Sequence, residues 1–584
     1  SLPTESNTLT TNTDIGFNRA FTTGGQLLVD FANSFVFEYT GPNRTSVSSN
    51  ILINFVQPLL RRGWREVALE RLTQAERDTL YELRDFARFR KILAVGVGTQ
   101  GLGGGFLSLL LQVQNIRNLE ANVNSLEQNL RLHQALLPID VVAPIRVEQV
   151  FQSYQQGQLA LLQARTNLEN ALDAFKIALG LPPAIPVRLD DALLAPFQLT
   201  DPALDTLQGE VDAFVARYRQ LQQGQRNVAV LRQGYQQLQA FHGRALKLVD
   251  LVQAEIERWR QLPAPPDIDA ERAQRQQTLL AQLGNQLALL RQKLEQFGPE
   301  LDKAVREIRP EQLPQGWERL LDLSRQLSDR LGELFVIQTQ VRVYLIRLPA
   351  ITYELDEAIS YALEHRLDLM NQRGRVVDAW RQITVSADRL EADLDVVFNA
   401  NIGTEPGSDN PFDFSALGSS YRIGFQFDSP LNRKAERNIY RASLVNYQRS
   451  RRAFMLLDDQ IQQAIRRDLR QLRTDRLNFE IARESLIGAA RQLEEARERL
   501  QADQVTEIST QDVLNALTNV LQAKNALISI WVSYLTGRAQ LLLDMDALQL
   551  DERGLIRDEH RQPTDQPAAT LGAPVPPPGR QTDP

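Results

Sequence analysis

Residues 25–39 read GQLLVDFANSFVFEY, a run in which apolar side chains take almost every second place. Leu27, Val29, Phe31, Phe35, Phe37 and Tyr39 share one parity, interrupted by Asn33, and Gln26, Asp30, Ala32, Ser34 and Glu38 hold the other. A period of two is that of a β-strand with one face in an apolar medium and one in water. The next stretch, TSVSSNILINF at 45–55, sets Val47, Ile51, Ile53 and Phe55 against Ser46, Ser48, Asn50 and Asn54. TGPNR between them is turn chemistry, so the two stretches are expected to form a hairpin.

The pattern returns far along the chain. LDVVFNANIG (394–403) alternates Leu394, Val396, Phe398, Ala400 and Ile402 with Asp395, Asn399 and Asn401. YRIGFQFD (421–428) alternates Tyr421, Ile423, Phe425 and Phe427 with Arg422, Gly424, Gln426 and Asp428. A loop rich in Gly, Asp, Pro and Ser, TEPGSDNPFDFSALGSS, joins them. Strands of roughly 9–11 residues with one apolar face fit a transmembrane barrel with a wet lumen. A two-layer soluble sheet would alternate in the same way. Two hairpins are too few to close a barrel, so the membrane reading requires several copies. On it, Val29, Phe31, Phe35, Phe37, Ile51, Ile53, Phe55, Val396, Phe398, Tyr421, Ile423, Phe425 and Phe427 face lipid. Asp30, Ser34, Glu38, Ser48, Asn50, Asn54, Asp395, Asn399, Asn401, Arg422, Gln426 and Asp428 then face the lumen.

Around these four islands the chain is Leu, Ala, Gln, Arg and Glu at helical spacing, the text of coiled coil. With 65 basic and 72 acidic side chains the net charge is −7, so no basic field invites nucleic acid. There is no cysteine, which excludes disulfides, thiolate nucleophiles and cysteine-ligated metals. The four histidines stand singly, so no catalytic or metal cluster is expected, and no cofactor. No apolar run approaches the ~20 residues of a membrane-spanning helix. The start, SLPTESNTLTTNTD, has no secretory-signal pattern, and the Pro-rich tail from 551 to 584 is expected to be disordered.

The chain after each hairpin repeats. FVQPLLRRGWREVALERL follows the second strand and FDSPLNRKAERNIYRASL the fourth. Pro58 and Pro430 stand where strand becomes helix, followed by Arg61 and Arg62 or by Arg433 and Lys434. Each long helical run ends in a break, LLPIDVVAPIRVEQVF or DQVTEISTQDVLNAL, before a returning helix. A unit of hairpin, helix, turn and helix thus occurs twice.

QPLLRRG, ALGLPP (178–183), HRLDL (365–369) and DVLNAL (512–517), in this order and twofold repetition, resemble the TolC-like outer-membrane efflux proteins. The resemblance covers roughly residues 24–190 and 350–550. It implies a mainly α fold with a small β part, in which long antiparallel helical hairpins build an α-helical barrel. It also implies a homotrimer whose four strands per chain make a twelve-stranded β-barrel above a periplasmic tunnel. The implied function is passive conduction from a periplasmic adaptor and an inner-membrane pump across the outer membrane, with no enzymatic activity. It places a gate at Asp512, with Asn515 where a second acid could stand, and adaptor docking at the turns. The turn residues are Pro138, Asp140, Pro144 and Ile145, then Val505, Thr506, Glu507, Ile508 and Ser509. STQD also reads as a helix cap for Asp512.

The chain divides into a truncated lead-in (1–23), a first repeat (24–195), an inserted Gln-rich helical subdomain (196–350), a second repeat (351–550) and the tail. A helix at about 355–390 precedes the second hairpin and has no counterpart before the first, which suggests a helix missing from the start. GVGTQG (96–101) matches the dinucleotide pattern G-x-G-x-x-G, but helical text flanks it on both sides where that fold needs strands. The distance from proline to turn is longer in the first repeat, so the glycines at 96–105 are expected to bulge from the helix as a loop. A soluble coiled-coil scaffold with hairpin tabs is the alternative to the channel.

Overall fold

The computed structural model describes residues 8–38, 44–99, 101, 104–137, 143–221, 226–263, 270–309, 312–351, 353–405, 407–429, 432–501 and 507–556. Helices dominate it, with one antiparallel sheet of five strands. The strands are β1 (Thr8–Ala20), β2 (Gln26–Glu38), β3 (Arg44–Pro58), β4 (Asp393–Gly403) and β5 (Ser420–Asp428), in the spatial order β1-β2-β3-β4-β5. The first of these corrects the sequence reading, which took residues 1–23 as a lead-in and counted four strands. TLTTNTDIGFNRA offers only Leu9, Ile15 and Phe17 on its apolar parity, too few among threonines and asparagines to signal a strand. Pairing supplies what the side chains do not: β1 lies in register with the whole of β2, from Thr8 opposite Glu38 to Ala20 opposite Gln26. Gly24, at φ +79°, makes the turn possible; a Cβ there would sit 2.1 Å from the Arg62 carbonyl oxygen.

The helices are α1 (Arg65–Ala68), α2 (Glu70–Gly98), α3 (Phe106–Leu136), α4 (Pro144–Ala178), α5 (Pro202–Gln220), α6 (Val228–Gln261), α7 (Ala270–Arg306), α8 (Leu313–Leu345), α9 (Leu355–His365), α10 (Leu367–Asp388), α11 (Lys434–Gln501) and α12 (Glu507–Asp544). The second repeat builds its outgoing run as one helix of 68 residues, α11, whereas the first is divided between α2 and α3. Residues 99–105 lie between them, so a break exists where the glycines predicted one, although the helix runs on through Gly96 to Gly98. Gly104 and Gly105, at φ +87° and +68°, hold left-handed geometry that side chains disfavour. The helix expected at 355–390 is two, because Arg366 leaves helical geometry at ψ 116°.

Two compact units emerge, and they do not follow the repeats. The first collects the described residues of 1–90, 354–467 and 544–547; the second holds 91–353, 468–543 and 548–556. Each repeat contributes residues to both units. In the first unit, α2 packs on α10. Arg77 bridges Asp378 at 2.6 Å and Glu70 at 2.5 Å, the Tyr81 hydroxyl donates to Asp378 at 2.9 Å, and Asn371 donates to the Tyr81 carbonyl at 3.0 Å. Gly374 leaves room for the tyrosine, since a Cβ there would lie 2.4 Å from its hydroxyl.

The second unit holds two apolar cores. One gathers Leu110 of α3, Val150 of α4, Phe479 and Leu486 of α11, and Leu514, Leu527, Ile528 and Val532 of α12. The other is the insertion's own, built by α5 to α8 around Trp317, Tyr218, Tyr235, Phe297 and Leu327, and it also takes in Ile487 and Ala490 of α11. Within Thr510–Asp544 an 18-residue window reaches a mean hydropathy of 1.3, so α12 is more apolar than the sequence reading allowed. Its Leu527, Ile528 and Val532 are fully buried, as in the core helix of a bundle.

Candidate functional site

Register decides what the sheet can do. β3 pairs with β4, joining hairpins far apart in sequence: Ile51 faces Ile402, Ile53 faces Ala400 and Phe55 faces Phe398. β2 sets Val29 against Ile53 and Phe31 against Ile51, while β5 sets Phe425 against Val396 and Ile423 against Phe398. Directly paired residues share a face, so all thirteen residues read as lipid-facing lie on one side of the sheet. β1 extends the same face with Phe17 opposite Val29 and Ile15 opposite Phe31. A slip of one residue at β3–β4 would put the apolar faces of the two repeats on opposite sides. The opposite face carries Ser34 against Ser48, Ala32 against Asn50, Asn54 against Asn399, and Asp395 against Gln426. Leu28, Val36, Leu52, Val56 and Val397 interrupt that polar face. On β5 the apolar side stands in the open: Ile423 is 75% and Phe425 is 76% exposed.

The motif QPLLRRG ties the repeats together at the strand ends. Arg61 reaches Asp393, which opens β4, at 3.2 Å, and Arg62 approaches Asp393 at 3.7 Å and Asp395 at 3.9 Å. The Arg62 amide, at φ +66°, donates to both oxygens of Asp388 at 3.0 and 3.1 Å. HRLDL makes a second tie. The Arg366 guanidinium holds Asp368 at 2.9 Å and Asp544 at 3.8 Å and donates to the Asp544 carbonyl at 3.0 Å, while the Leu367 amide donates to Asp546 at 3.1 Å. Arg88 completes the group at 3.4 Å from Asp368 and 3.9 Å from Asp546.

At the far end of the helical hairpins, Pro138 and Asp140 of the first turn and Val505 and Thr506 of the second lie outside the described residues, as does Pro430 at the second strand-to-helix switch. Pro144 opens α4, where its missing N–H costs nothing, and Ile145 beside it is exposed. Glu507, Ile508 and Ser509 form the first turn of α12. Because α12 begins at Glu507, Asp512 stands in its second turn and is not a cap. Asp512 is half-buried, without an ion pair or side-chain hydrogen bond among the described residues; Asn515 is exposed and accepts from Gln511 at 3.1 Å. One turn away, the buried ring of His133 on α3 hydrogen-bonds through Nε2 to Thr510 at 3.0 Å and through Nδ1 to the Asn129 carbonyl at 2.9 Å. Burial lowers the pKa of His133, so the imidazole is neutral at pH 7 and fixes α3 of one repeat to α12 of the other. The spacing of a lone histidine gives no hint of this.

A second group missed by sequence reading sits where the insertion meets α11. The Glu494 carboxyl packs against Gly332 of α8, where a Cβ would lie 1.6 Å from its Oε1; its Oε2 is enclosed with no hydrogen-bond partner among the described residues. Burial pushes Glu494 up to about 7, helped by Asp212, Asp329 and Glu498 against Arg497. Asp329 rises to about 6, by burial and then by Glu498 and Glu333. These folded-state values lie above those of the unfolded chain, so the folded unit binds more protons between pH ~4.5 and 7 and loses stability as pH rises through that window. Glu494→Gln is expected to flatten this slope and to gain about 1–2 kcal/mol at pH 8, since one pKa unit is worth about 1.4 kcal/mol and partial solvent access reduces the total. Urea titrations at pH 5 and pH 8 measure it; an unchanged slope would contradict the assignment. Gly332→Ala is expected to cost about 1–3 kcal/mol despite alanine's better helix propensity, because the carboxyl must move.

No family model matches the chain, and no curated protein matches it. Solved structures similar to it include the CmeC outer membrane channel of Campylobacter jejuni, at 12% identity and a TM-score of 0.48, covering 93% of this chain and 77% of that one. The outer membrane protein VceC of Vibrio cholerae is 11% identical with a TM-score of 0.47, over 93% and 87%. The MtrE outer membrane channel of Neisseria gonorrhoeae is 10% identical with a TM-score of 0.43, over 92% and 80%. All three are outer-membrane proteins.

Proposed function

We propose that this chain is the outer-membrane channel of a tripartite export system, assembling as a homotrimer whose strands form a barrel and whose helices form a periplasmic tunnel. The observation that carries it is the β3–β4 register, which merges the apolar faces of two distant hairpins into one exposed surface while both sheet edges stay open. An exposed apolar sheet face wants lipid, and open edges want another strand. Unpartnered apolar residues also run along the helices, as Leu72, Leu83, Phe86 and Phe89 on α2 and Leu159 and Leu162 on α4, which fits burial between copies of the chain. The chain conducts passively, and substrates reach it through a periplasmic adaptor docked on the turns and an inner-membrane pump. Three Asp512 carboxylates around the tunnel mouth favour cations; Asp512→Asn is expected to lower the cation preference of the reconstituted channel severalfold in single-channel recordings.

The test is Phe425→Asp. On a lipid-facing strand the change forfeits about 1.5–3 kcal/mol of apolar burial and adds a desolvation cost in every copy. Membrane extraction followed by unheated SDS electrophoresis should show a trimer for the unaltered chain and none for the variant. Soluble, monomeric protein without detergent in both cases would instead establish the soluble scaffold.

A further inference from the structure

β1 and β5 are the two edges of the sheet, and with every junction between them antiparallel they run in the same direction. Whole five-stranded sheets placed around an axis would therefore set β5 of one copy beside β1 of the next in parallel. The strands β2 to β5 alone would set β5 beside β2 of the next copy, antiparallel. Antiparallel pairing throughout is the rule of closed membrane barrels, and parallel pairs are the weaker. The edge of β2 that closure requires is covered along its whole length by β1.

We propose that β1 is a stand-in strand, which covers the β2 edge in the unassembled chain and yields it to β5 of a second copy on assembly. This inference rests on the channel reading. The two strands differ in what they offer that edge. β1 brings Leu9, Ile15 and Phe17 to the apolar face but sets Thr11 opposite Phe35 and Thr13 opposite Asn33, and every one of its thirteen residues is exposed. β5 carries Tyr421, Ile423, Phe425 and Phe427 on the parity that continues the apolar face, and its nine residues fit within the thirteen of β2. The incoming strand therefore covers more apolar surface than the one it displaces. Until then the stand-in occupies the backbone donors and acceptors of the β2 edge, which would otherwise pair at random.

The chain has no cysteine, so an introduced pair forms the sole disulfide. The Ser34 hydroxyl of β2 meets the Asn12 side chain of β1 at 2.7 Å, so the double variant Asn12→Cys, Ser34→Cys can lock the two strands together. Thr10→Cys with Val36→Cys repeats the lock on the next directly opposed pair of that face. Each variant is refolded into lipid vesicles oxidised and reduced, and trimer is scored on unheated gels. The oxidised forms are expected to yield at least tenfold less trimer, with full recovery on reduction, which also shows that the substitutions themselves permit folding. Equal trimer from oxidised and reduced protein would overturn the proposal and make β1 a permanent barrel strand. Absence of trimer from the unaltered chain would overturn the channel reading, and this inference with it.

Discussion

Replacing Trp317 by alanine is expected to cost about 3–5 kcal/mol and to melt the insertion while the sheet stays folded. Trp317 is the largest fully buried side chain of the insertion's core, 2% exposed. Its ring lies 5.6 Å from that of Tyr218, which in turn lies tilted by 30° at 4.3 Å from Phe214, and its indole N–H donates to the Tyr218 carbonyl at 3.3 Å. Gly234 keeps this site free, because a Cβ there would come within 2.8 Å of both Leu320 and Tyr218. Truncation opens a cavity and removes the indole donor of the Tyr218 carbonyl together. Trp317→Phe keeps most of the volume and should lose about 1–2 kcal/mol. Hydrogen exchange resolved by segment is the right measurement, because a protein of two compact units need not unfold in one step. Uniform loss of protection across the strands as well as α5 to α8 would refute an independent core.

Arg366→Met is the second large effect, about 3–5 kcal/mol. Arg366, Arg88, Asp544 and Asp546 are all less than 10% exposed. Removing this guanidinium takes the nearest cation from Asp368 and Asp544, leaving Asp368 and Asp546 to Arg88 and Asp544 to Arg467 at 4.0 Å, and removes a donor from the Asp544 carbonyl. Burial and the Arg366 charge lower the pKa of Arg88, against the pull of Asp368, Asp546 and Asp544. Arg366→Lys retains the charge but loses the planar fork, and should recover less than half of the loss. Thermal unfolding followed by exchange at the amides of α10 and the end of α12 separates these outcomes. A loss of under 1 kcal/mol for Arg366→Met would mean that the cluster is a solvated surface group.

Much of the architecture was legible because it depends on periodicity. The alternation at 25–39, 45–55, 394–403 and 421–428 placed four of the strands, and spacings of three to four placed the long helices. β1 was hidden because its own side chains barely alternate in polarity, and only an adjoining strand makes it one. The capping alternative for Asp512 failed because α12 starts two residues before Ser509, at Glu507. The ties that matter most, Arg61 to Asp393, Arg366 to Asp544 and His133 to Thr510, join residues 178 to 377 positions apart, and no local pattern announces them.

The amino-acid order alone determined four of the five strands and most of the long helices, because helix and strand periods are set by the backbone and written residue by residue. It determined also that one side of each hairpin is apolar. Only the tertiary structure decided that the two apolar sides are the same side. That depends on the β3–β4 register, a pairing between residues more than 300 positions apart. Tertiary structure alone also decided that a fifth strand holds the edge of β2, since hydrogen bonds between backbones carry no signature in the side chains that precede them.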